Sequence, residues 1–439
     1  MLSIANDICL EDEAYVMSAD NRMKRVNLRY KKSGEYACVT VAIHGKMMCI
    51  TVRYFNLNRI LLLTLGLWPY QQSIFDRLRF IFFLGILTTA ILFQFTIFLN
   101  SKCTADFVVK ILSNALFFTT FVIHYIFFAI NIETVKDLLT QLQYVYDKLK
   151  NEYENAIVEK YNYNAERYTI ALTAISMGGI FVLIIAQLWS NIINIILPTN
   201  VSQSRRLPIM TEYFVDQEKY YFLIILHLNA ALCIGVAGMV SVGTMLIAYL
   251  EHTCGLFKIS SYRIKRAMRV IILQNINPKN NILMLEEIRC AVDIHRQAMK
   301  LSKILVSKFE AMLFCLITTG VISLSLNLFQ IFRIASIGES IDKILIPSLF
   351  VFCSILYMFC ANYVGQNITD YNNRVFDTVY NVQWYIAPLH IQKLMLFLLQ
   401  SNAQDFTLGV GGFFIGSLEC FATLVKTSVS YFTVIYSTQ

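Results

Sequence analysis

Long apolar stretches without charged residues dominate the hydrophobic pattern of this chain. A helix needs about 20 apolar residues to cross the hydrocarbon core of a bilayer. Seven stretches reach that length, at 80–99, 111–130, 169–197, 220–250, 311–332, 344–369 and 406–436. The strands of a membrane barrel would instead give short runs of alternating polarity. The pattern therefore predicts an all-α polytopic membrane protein with seven transmembrane helices.

Two further apolar stretches are too short to cross a membrane. Residues 57–70 contain Arg59, and they predict an interfacial helix within a cytoplasmic N-terminal segment that covers residues 1–76. A second short stretch carries a lysine and predicts a cytoplasmic helix at about 377–400, which leads into the last span. The seven-helix domain then covers residues 77–439.

The composition agrees with a membrane protein and argues against a nucleic-acid-binding one. Hydrophobic residues make up 56% of the chain and charged residues only 15%, whereas soluble domains are about a quarter charged. The net charge of +8 is mild and scattered, so we expect membrane lipid, and no nucleic acid, as a partner. The start of the chain is too rich in charged residues for a cleavable signal peptide, so the N-terminus is expected to stay cytoplasmic.

The distribution of lysine and arginine predicts the orientation of the spans. Of the 37 basic residues, 29 lie before the first span or in the connections that follow spans two, four and six, and 7 lie in the opposite connections. Cytoplasmic connections are enriched in these residues, so we expect a cytoplasmic N-terminus and an extracellular C-terminus. The sequon at Asn200 then lies outside and is a candidate glycosylation site, whereas the sequon at Asn367 lies at the inner end of span six and should stay unused.

No pattern of catalytic or metal-binding residues is present. The chain contains no GxSxG or HExxH motif, its histidines form no i, i+4 pair, and its cysteines have no zinc-like spacing. The glycines at 409–412 lack the third glycine of a phosphate loop, since Phe414 stands there. We therefore expect no enzyme activity, no metal site and no cofactor.

Polar residues follow one face of the last span. Lys426, Ser430, Thr433 and Ser437 are spaced by 4, 3 and 4 residues, which places them on one helical face. Close packing of small residues against another helix would explain the hydroxyl groups alone. Lys426, however, lies ten residues before Tyr436, about 15 Å along a helix, and an ionisable group at that depth usually faces water or a partner. The stripe therefore favours an aqueous path along this helix.

The outer halves of spans two, three, four and six combine aromatic and small residues. Such a lining suits a small apolar ligand, although ordinary packing between helices would explain any one of these residues. The candidate pocket residues are Phe117, Phe118, Phe121, Ser176, Gly179, Leu183, His227, Phe350 and Tyr357.

Two segments resemble the insect odorant receptor family. They are YFNLNRILLLTLGLWPY at 54–70 and SLECFATLVKTSVSYFTVIYSTQ at 417–439, and Trp384, Lys393 and the glycine pair at 411–412 also fit the family's pattern. The resemblance covers residues 54–439, and residues before about 52 have no counterpart in the family.

The resemblance implies a channel function. Receptors of this family are non-selective cation channels that odorant opens directly, with four subunits around a pore that the last helix lines. The family's hydrophobic gate position then corresponds to Val434, and a polar position one turn further out to Ser437. The expected partners are odorant co-receptor subunits in a heterotetramer and a small apolar odorant. The expected location is the plasma membrane of olfactory sensory neurons.

One difference from the family's pattern indicates which kind of subunit this is. The co-receptor carries Thr-Tyr, five apolar residues and Gln, whereas here Ser430 and Tyr431 are followed by five residues and Ser437. This favours a ligand-tuned subunit over the co-receptor. Two other classes remain open: a seven-helix G-protein-coupled receptor, against which the orientation argues, and a solute transporter, for which no inverted repeat of broken helices is visible.

Overall fold

The computed structural model of the chain describes residues 54–71, 73–100, 104–149, 151–196, 209–273, 278–338, 342–401 and 406–437. The part of the chain from Tyr54 to Gln439 forms one compact unit. The first 53 residues of the expected N-terminal segment (1–76) and the sequon at Asn200 lie outside the described residues.

The described chain is almost entirely helical. A 3-10 turn (Trp384–Ile386) and a hairpin of two short strands, β1 (Gly409–Val410) and β2 (Phe414–Ile415), are the other regular elements of the described residues. In chain order the helices are α1 (Asn56–Thr64), α2 (Ile74–Phe95), α3 (Ile97–Asn100), α4 (Ala105–Ile130), α5 (Ile132–Asp147), α6 (Glu152–Ile196), α7 (Tyr221–Leu273), α8 (Pro278–Ile337), α9 (Asp342–Asn381), α10 (Leu389–Ser401) and α11 (Leu418–Ser437).

Seven helical segments of the described chain are long and apolar enough to cross a membrane, which confirms the predicted all-α, seven-helix architecture. They are Ile74–Asn100, Ala105–Ile130, Glu152–Ile185, Tyr221–Arg269, Ile282–Ile337, Lys343–Asn381 and Leu418–Ser437. Two of them are far longer than a bilayer requires, since α7 has 53 residues and α8 has 60. At 1.5 Å per residue these helices are roughly 80–90 Å long, so both continue well beyond a hydrocarbon core of about 30 Å.

The prediction of a single helix over 406–436 is wrong in its first third. Helix α11 begins only at Leu418, and the preceding residues form the β1–β2 hairpin. Gly411 and Gly412 have φ angles of 64° and 71°, and a hairpin turn with positive φ at both central residues favours glycine. The glycine pair therefore makes a turn, and no part of it lies in a helix.

The prediction of a helix at about 377–400 is also wrong in its middle. Helix α9 continues from the membrane to Asn381, and α10 starts at Leu389 after the 3-10 turn. Pro388 follows Ala387, whose ψ of 160° is extended. A proline disfavours the helical conformation in the residue before it and lacks the N–H that a continuing helix needs. The chain therefore breaks before Pro388 and starts a new helix.

The expected interfacial helix is shorter and more enclosed than the sequence indicates. Helix α1 ends at Thr64, and Gly66, with a φ of 72°, follows it, as at many helix C-termini. Helix α1 packs against α6 and α7. Asn58 is buried and donates a hydrogen bond of 3.0 Å to Thr244 Oγ1 in α7, and Leu62 is fully buried. This segment is thus part of the helical body.

Candidate functional site

A cavity of about 370 Å³ lies among the membrane helices, and its walls are mostly apolar. Helices α4, α6, α7, α8 and α9 supply them, together with the hairpin before α11 and Cys420 in the first turn of α11. Cavities of this size and character typically hold small apolar ligands. Six of the nine candidate pocket residues line it: Phe117, Ser176, Gly179, Leu183, Phe350 and Tyr357.

An aromatic pair and a glycine shape one part of the cavity. The rings of Phe117 and Phe350 stack with centroids 3.8 Å apart and an interplanar angle of 12°, which joins α4 to α9. On α6, Gly179 has no side chain, and an added Cβ would meet only Leu349 Cδ1, at 3.9 Å. The aromatic rings therefore form a rigid part of the wall, and the glycine leaves open space at its own position in the lining.

Phe118 and Phe121 lie outside the cavity, in a packed layer behind it. Both are 0% exposed, and their rings form an edge-to-face pair with centroids 5.7 Å apart. Phe121 presses against Gly235 of α7 so closely that a Cβ on that glycine would lie 2.1 Å from Phe121 Cδ2. Phe121 holds α4 against α7, and neither phenylalanine is among the residues that line the cavity.

His227 also lies outside the cavity, where it joins α7 to α2 and to the segment before α7. Its Nδ1 lies 2.7 Å from the Tyr213 hydroxyl and its Nε2 lies 3.0 Å from Thr89 Oγ1. Burial raises the pKa of Tyr213 to about 12, so the phenol stays protonated at neutral pH and donates to the imidazole. The Thr89 hydroxyl donates to the Gly85 carbonyl, so it accepts from His227.

His124 is a residue of the site that the sequence analysis did not select. It is 1% exposed, and its Nε2 lies 2.8 Å from the hydroxyl of Tyr357, which lines the cavity. Its position gave a signal, because His124 follows Phe117 and Phe121 at helical spacing on the same face of α4. A lone histidine in an apolar helix is, however, compatible with many kinds of packing.

The far part of the cavity reaches the hairpin that precedes α11. Leu408, Val410 and Gly416 contribute to its lining. The hairpin is attached to two long helices. Glu310 Oε1 of α8 accepts a hydrogen bond of 2.7 Å from the backbone N of Gly411, and Asn362 Oδ1 of α9 accepts one of 3.3 Å from the backbone N of Ser417. One cavity therefore borders both the candidate ligand residues and the connection that leads into the last helix.

Helix α11 has one packed face and one exposed face. Leu424 and Ser428 are buried against α8 and α9, and the backbone carbonyl of Ser428 accepts a hydrogen bond of 2.9 Å from Ser325 Oγ of α8. All five candidate pore residues lie on the exposed face: Lys426, Ser430, Thr433, Val434 and Ser437. The structure thus brings the predicted stripe together on a surface that the described chain leaves uncovered.

The hydroxyl groups near the end of α11 bond to their own helix. Thr433 Oγ1 donates to the Ser430 carbonyl at 2.7 Å, and Ser437 Oγ donates to the Val434 carbonyl at 2.9 Å. Such local bonds satisfy the hydroxyl proton and leave the oxygen available as an acceptor. The described residues contain no cluster of histidine, cysteine, aspartate and glutamate that could hold a metal ion.

Comparisons with known proteins bear on both the chain and its fold. A family model described as 7tm Odorant receptor matches residues 104–429. Odorant receptor 85d of Drosophila melanogaster is 26% identical over 100 residues, a match that spans 23% of this chain and 24% of that protein.

Two solved structures share the fold. The insect olfactory receptor OR5 from Machilis hrabei, in complex with eugenol, superposes with a TM-score of 0.73 at 13% identity and covers 90% of this chain and 100% of its own. A second structure of the same receptor superposes with a TM-score of 0.71 at 14% identity and the same coverage. At this level of identity the similarity establishes the fold.

Proposed function

This chain belongs to the insect 7tm odorant receptor family, and from that premise we propose that it is the odorant-binding subunit of an odorant-gated cation channel. As an odorant receptor it is a multi-pass membrane protein and not an enzyme. The finer parts of the proposal are the ligand site, the pore, the partner subunits and the cell type.

The observation that carries the proposal is the apolar cavity of about 370 Å³ bounded by the stacked Phe117–Phe350 pair and by Gly179. A volatile odorant is small and mostly apolar, and a preformed cavity of this kind buries such a molecule without ordering a loop around it. The relative from Machilis hrabei was solved with eugenol, a molecule of this class. The cavity is therefore the proposed odorant site.

The exposed face of α11 supports the assignment of the pore. A polar stripe that faced lipid would be costly, and four copies of the helix around an axis would turn this face toward water. Lys426 would then lie in the pore or its cytoplasmic vestibule, and Val434 at a narrow apolar gate near the extracellular end. Odorant co-receptor subunits would complete the heterotetramer in the plasma membrane of olfactory sensory neurons.

Family membership favours this function over the two other classes considered, a G-protein-coupled receptor and a solute transporter. The contact between the cavity and the hairpin before α11 supports it further. In that arrangement a ligand borders the element that positions the last helix. A ligand shifts a conformational equilibrium only if it binds one state more tightly, and a ligand that contacts both the membrane helices and the hairpin would do so if opening changed the distance between them.

The test is to reduce the cavity without disturbing the helix that borders it. Gly179→Phe should place a ring in the cavity and raise the odorant concentration for half-maximal current by at least about tenfold. Gly178→Phe is the matched control, because Gly178 is exposed and an added Cβ there meets no atom within 4 Å. The measurement is whole-cell current from full-length receptor co-expressed with an odorant co-receptor, over a panel of alcohols, phenols, ethers and esters.

Equal responses from the Gly178→Phe and Gly179→Phe complexes, at equal surface levels, would show that odorant binds elsewhere. A parent complex that reaches the surface and passes no odorant-evoked current over the whole panel would contradict the channel itself.

A further inference from the structure

We propose that His124 makes the Tyr357 hydroxyl a pure hydrogen-bond acceptor toward the cavity, so that the receptor is tuned to odorants that donate a hydrogen bond, namely alcohols and phenols. The inference rests on the proposed function, in which this cavity is the odorant site. It is carried by the geometry of three groups: the Thr120 carbonyl, the His124 imidazole and the Tyr357 hydroxyl.

The first step fixes the tautomer of His124. Its Nδ1 lies 2.7 Å from the carbonyl oxygen of Thr120. A carbonyl oxygen can only accept a hydrogen bond, so Nδ1 carries a hydrogen and donates it. His124 is 1% exposed within an apolar membrane helix, where a charged imidazolium would be expensive. The ring is therefore neutral, and its Nε2 has a lone pair and no hydrogen.

The second step assigns the direction of the bond to Tyr357. The Tyr357 hydroxyl lies 2.8 Å from His124 Nε2, and the two rings meet edge to face with centroids 5.0 Å apart. Because Nε2 can only accept, the single phenolic proton points at the histidine. The phenolic oxygen keeps a lone pair but has no second proton to offer. Toward the cavity, Tyr357 therefore acts as an acceptor only.

The third step concerns the amide group in the lining. Asn362 Nδ2 donates to the Met358 carbonyl at 2.9 Å, and Asn362 Oδ1 accepts from the Ser417 backbone. Each end of this amide thus makes one bond within the protein and keeps one N–H and one lone pair, so the group can donate and accept and does not discriminate between donor and acceptor odorants.

The hydroxyl groups in the lining do not reverse this polarity. Thr244 Oγ1 donates to the Val240 carbonyl at 2.7 Å and accepts from Asn58, so its proton is also used within the protein. Ser176 is the hydroxyl whose rotation is left open, and a rotating hydroxyl donates and accepts equally well. Ser176 therefore does not discriminate between donor and acceptor odorants, and Tyr357 does.

This arrangement predicts a preference that the apolar walls alone would not give. An alcohol or phenol donates a hydrogen bond to the Tyr357 oxygen. An ether or ester of the same size has no proton to donate, so its oxygen lone pair would face the lone pair of the Tyr357 oxygen without a bond. A single neutral hydrogen bond corresponds to a preference of about two- to tenfold. Without His124 the Tyr357 proton would be free to point into the cavity, so ethers and esters would gain a hydrogen bond as well and the preference would disappear.

The experiment compares molecules that differ mainly in one hydroxyl proton. The probes are 4-ethylphenol against 4-methylanisole, eugenol against its O-methyl ether, and 1-hexanol against methyl pentyl ether. Full-length receptor is co-expressed with an odorant co-receptor, and the half-maximal concentration of each probe is taken from current. The readout is the ratio within each pair, because a ratio within one complex does not depend on expression level.

The parent complex should prefer the hydroxyl member of each pair by about two- to tenfold. Tyr357→Phe keeps the ring and removes the hydroxyl, so its ratio should fall to about one. His124→Leu frees the tyrosine proton, which ether and hydroxyl oxygens accept alike, so its ratio should also fall to about one, with both members of each pair more potent than in Tyr357→Phe. If His124→Leu fails to reach the surface, Tyr357→Phe still decides the question.

A parent complex that responds to the ethers as well as to their hydroxyl partners, or to no hydroxyl compound at all, would overturn the inference. An unchanged ratio in Tyr357→Phe would overturn it as well. Gly179→Phe separates this failure from failure of the proposed site. If Gly179→Phe weakens all probes while Tyr357→Phe keeps the parent ratio, the cavity binds odorant and only the role of Tyr357 is wrong.

Discussion

Two glycines on neighbouring helices show how single residues determine where this cavity is open. Gly179 on α6 borders empty space, and an added Cβ would lie 3.9 Å from its nearest neighbour. At Gly235 on α7, the ring of Phe121 occupies the space where a side chain would lie, and an added Cβ would be only 2.1 Å from Phe121 Cδ2. The same residue type thus creates room for a ligand at one position and allows close packing of two helices at the other.

The close packing at Gly235 predicts a large effect from one methyl group. Gly235→Ala should force Phe121, which is 0% exposed, out of its position and lower stability by about 1–3 kcal/mol, a typical cost of overpacking. The matched control is Gly238→Ala on the same helix, where the added Cβ would lie 3.5 Å from Tyr125 Cδ2, an ordinary contact. The measurement is the thermal denaturation midpoint of purified receptor in detergent, together with its surface level in cells. Equal midpoints for the two variants would mean that α4 and α7 do not meet at Gly235.

Phe117 and Phe121 show why the sequence predicts which helices surround a pocket more accurately than it predicts which residues line that pocket. Both lie on one face of α4, and both were expected to contact ligand, yet Phe117 lines the cavity and Phe121 packs on Gly235. The difference depends on what lies opposite each ring, which is Phe350 of α9 for Phe117 and Gly235 of α7 for Phe121. Helical periodicity gives the face of a helix, but it does not give the register between helices that are far apart in the chain.

At the scale of elements, helix α11 has the least of its surface covered by the described chain. In the most apolar 18-residue stretch of α11, 11% of the residues are buried, whereas in the corresponding stretch of α4 the share is 56%. Length and hydropathy were enough to predict both as spans. They were not enough to place the start of α11. Residues 406–410 are mostly apolar, like those of a membrane helix, and the glycine pair at 411–412 was the one sign of a turn. The packed face meets α8 and α9, and the opposite face carries Val434, which is 56% exposed.

The proposed gate predicts a specific effect of wetting that face. A ring of apolar side chains excludes water from a narrow pore, and ions do not cross a dry constriction. Val434→Ser should hydrate the ring and raise the current without odorant, with a partial effect because co-receptor subunits supply the rest of the ring. Val425→Ser is the matched control, since Val425 lies outside the exposed stripe and is half-buried. Whole-cell recording before and after odorant gives both currents. Val434 would not be at the gate if both currents matched those of the control.

At the scale of the whole molecule, the long helices α7 and α8 continue well beyond their apolar, membrane-crossing stretches. The extension of α7 and the start of α6 are joined by a buried ion pair, in which Arg263 Nε and Nη2 donate to the two carboxylate oxygens of Glu154 at 2.6 and 2.8 Å. A bidentate pair of this kind fixes geometry as well as charge. These extensions carry many of the basic residues. The orientation proposed for the chain therefore puts this part of the molecule in the cytoplasm.

That orientation gives the last prediction. The count of 29 basic residues against 7 predicts a cytoplasmic N-terminus and an extracellular C-terminus. An epitope tag after Gln439 should bind antibody on intact cells, and a tag before Met1 should bind only after permeabilisation. The two sequons supply an independent, matched pair: Asn200→Gln should abolish a glycosidase-sensitive shift in gel mobility, and Asn367→Gln should leave it in place. A C-terminal tag that antibody reaches only after permeabilisation would contradict the orientation, and with it the proposal that α11 ends at the external mouth of a pore. The reversed sequon result would place the loop after α6 inside and lead to the same rejection.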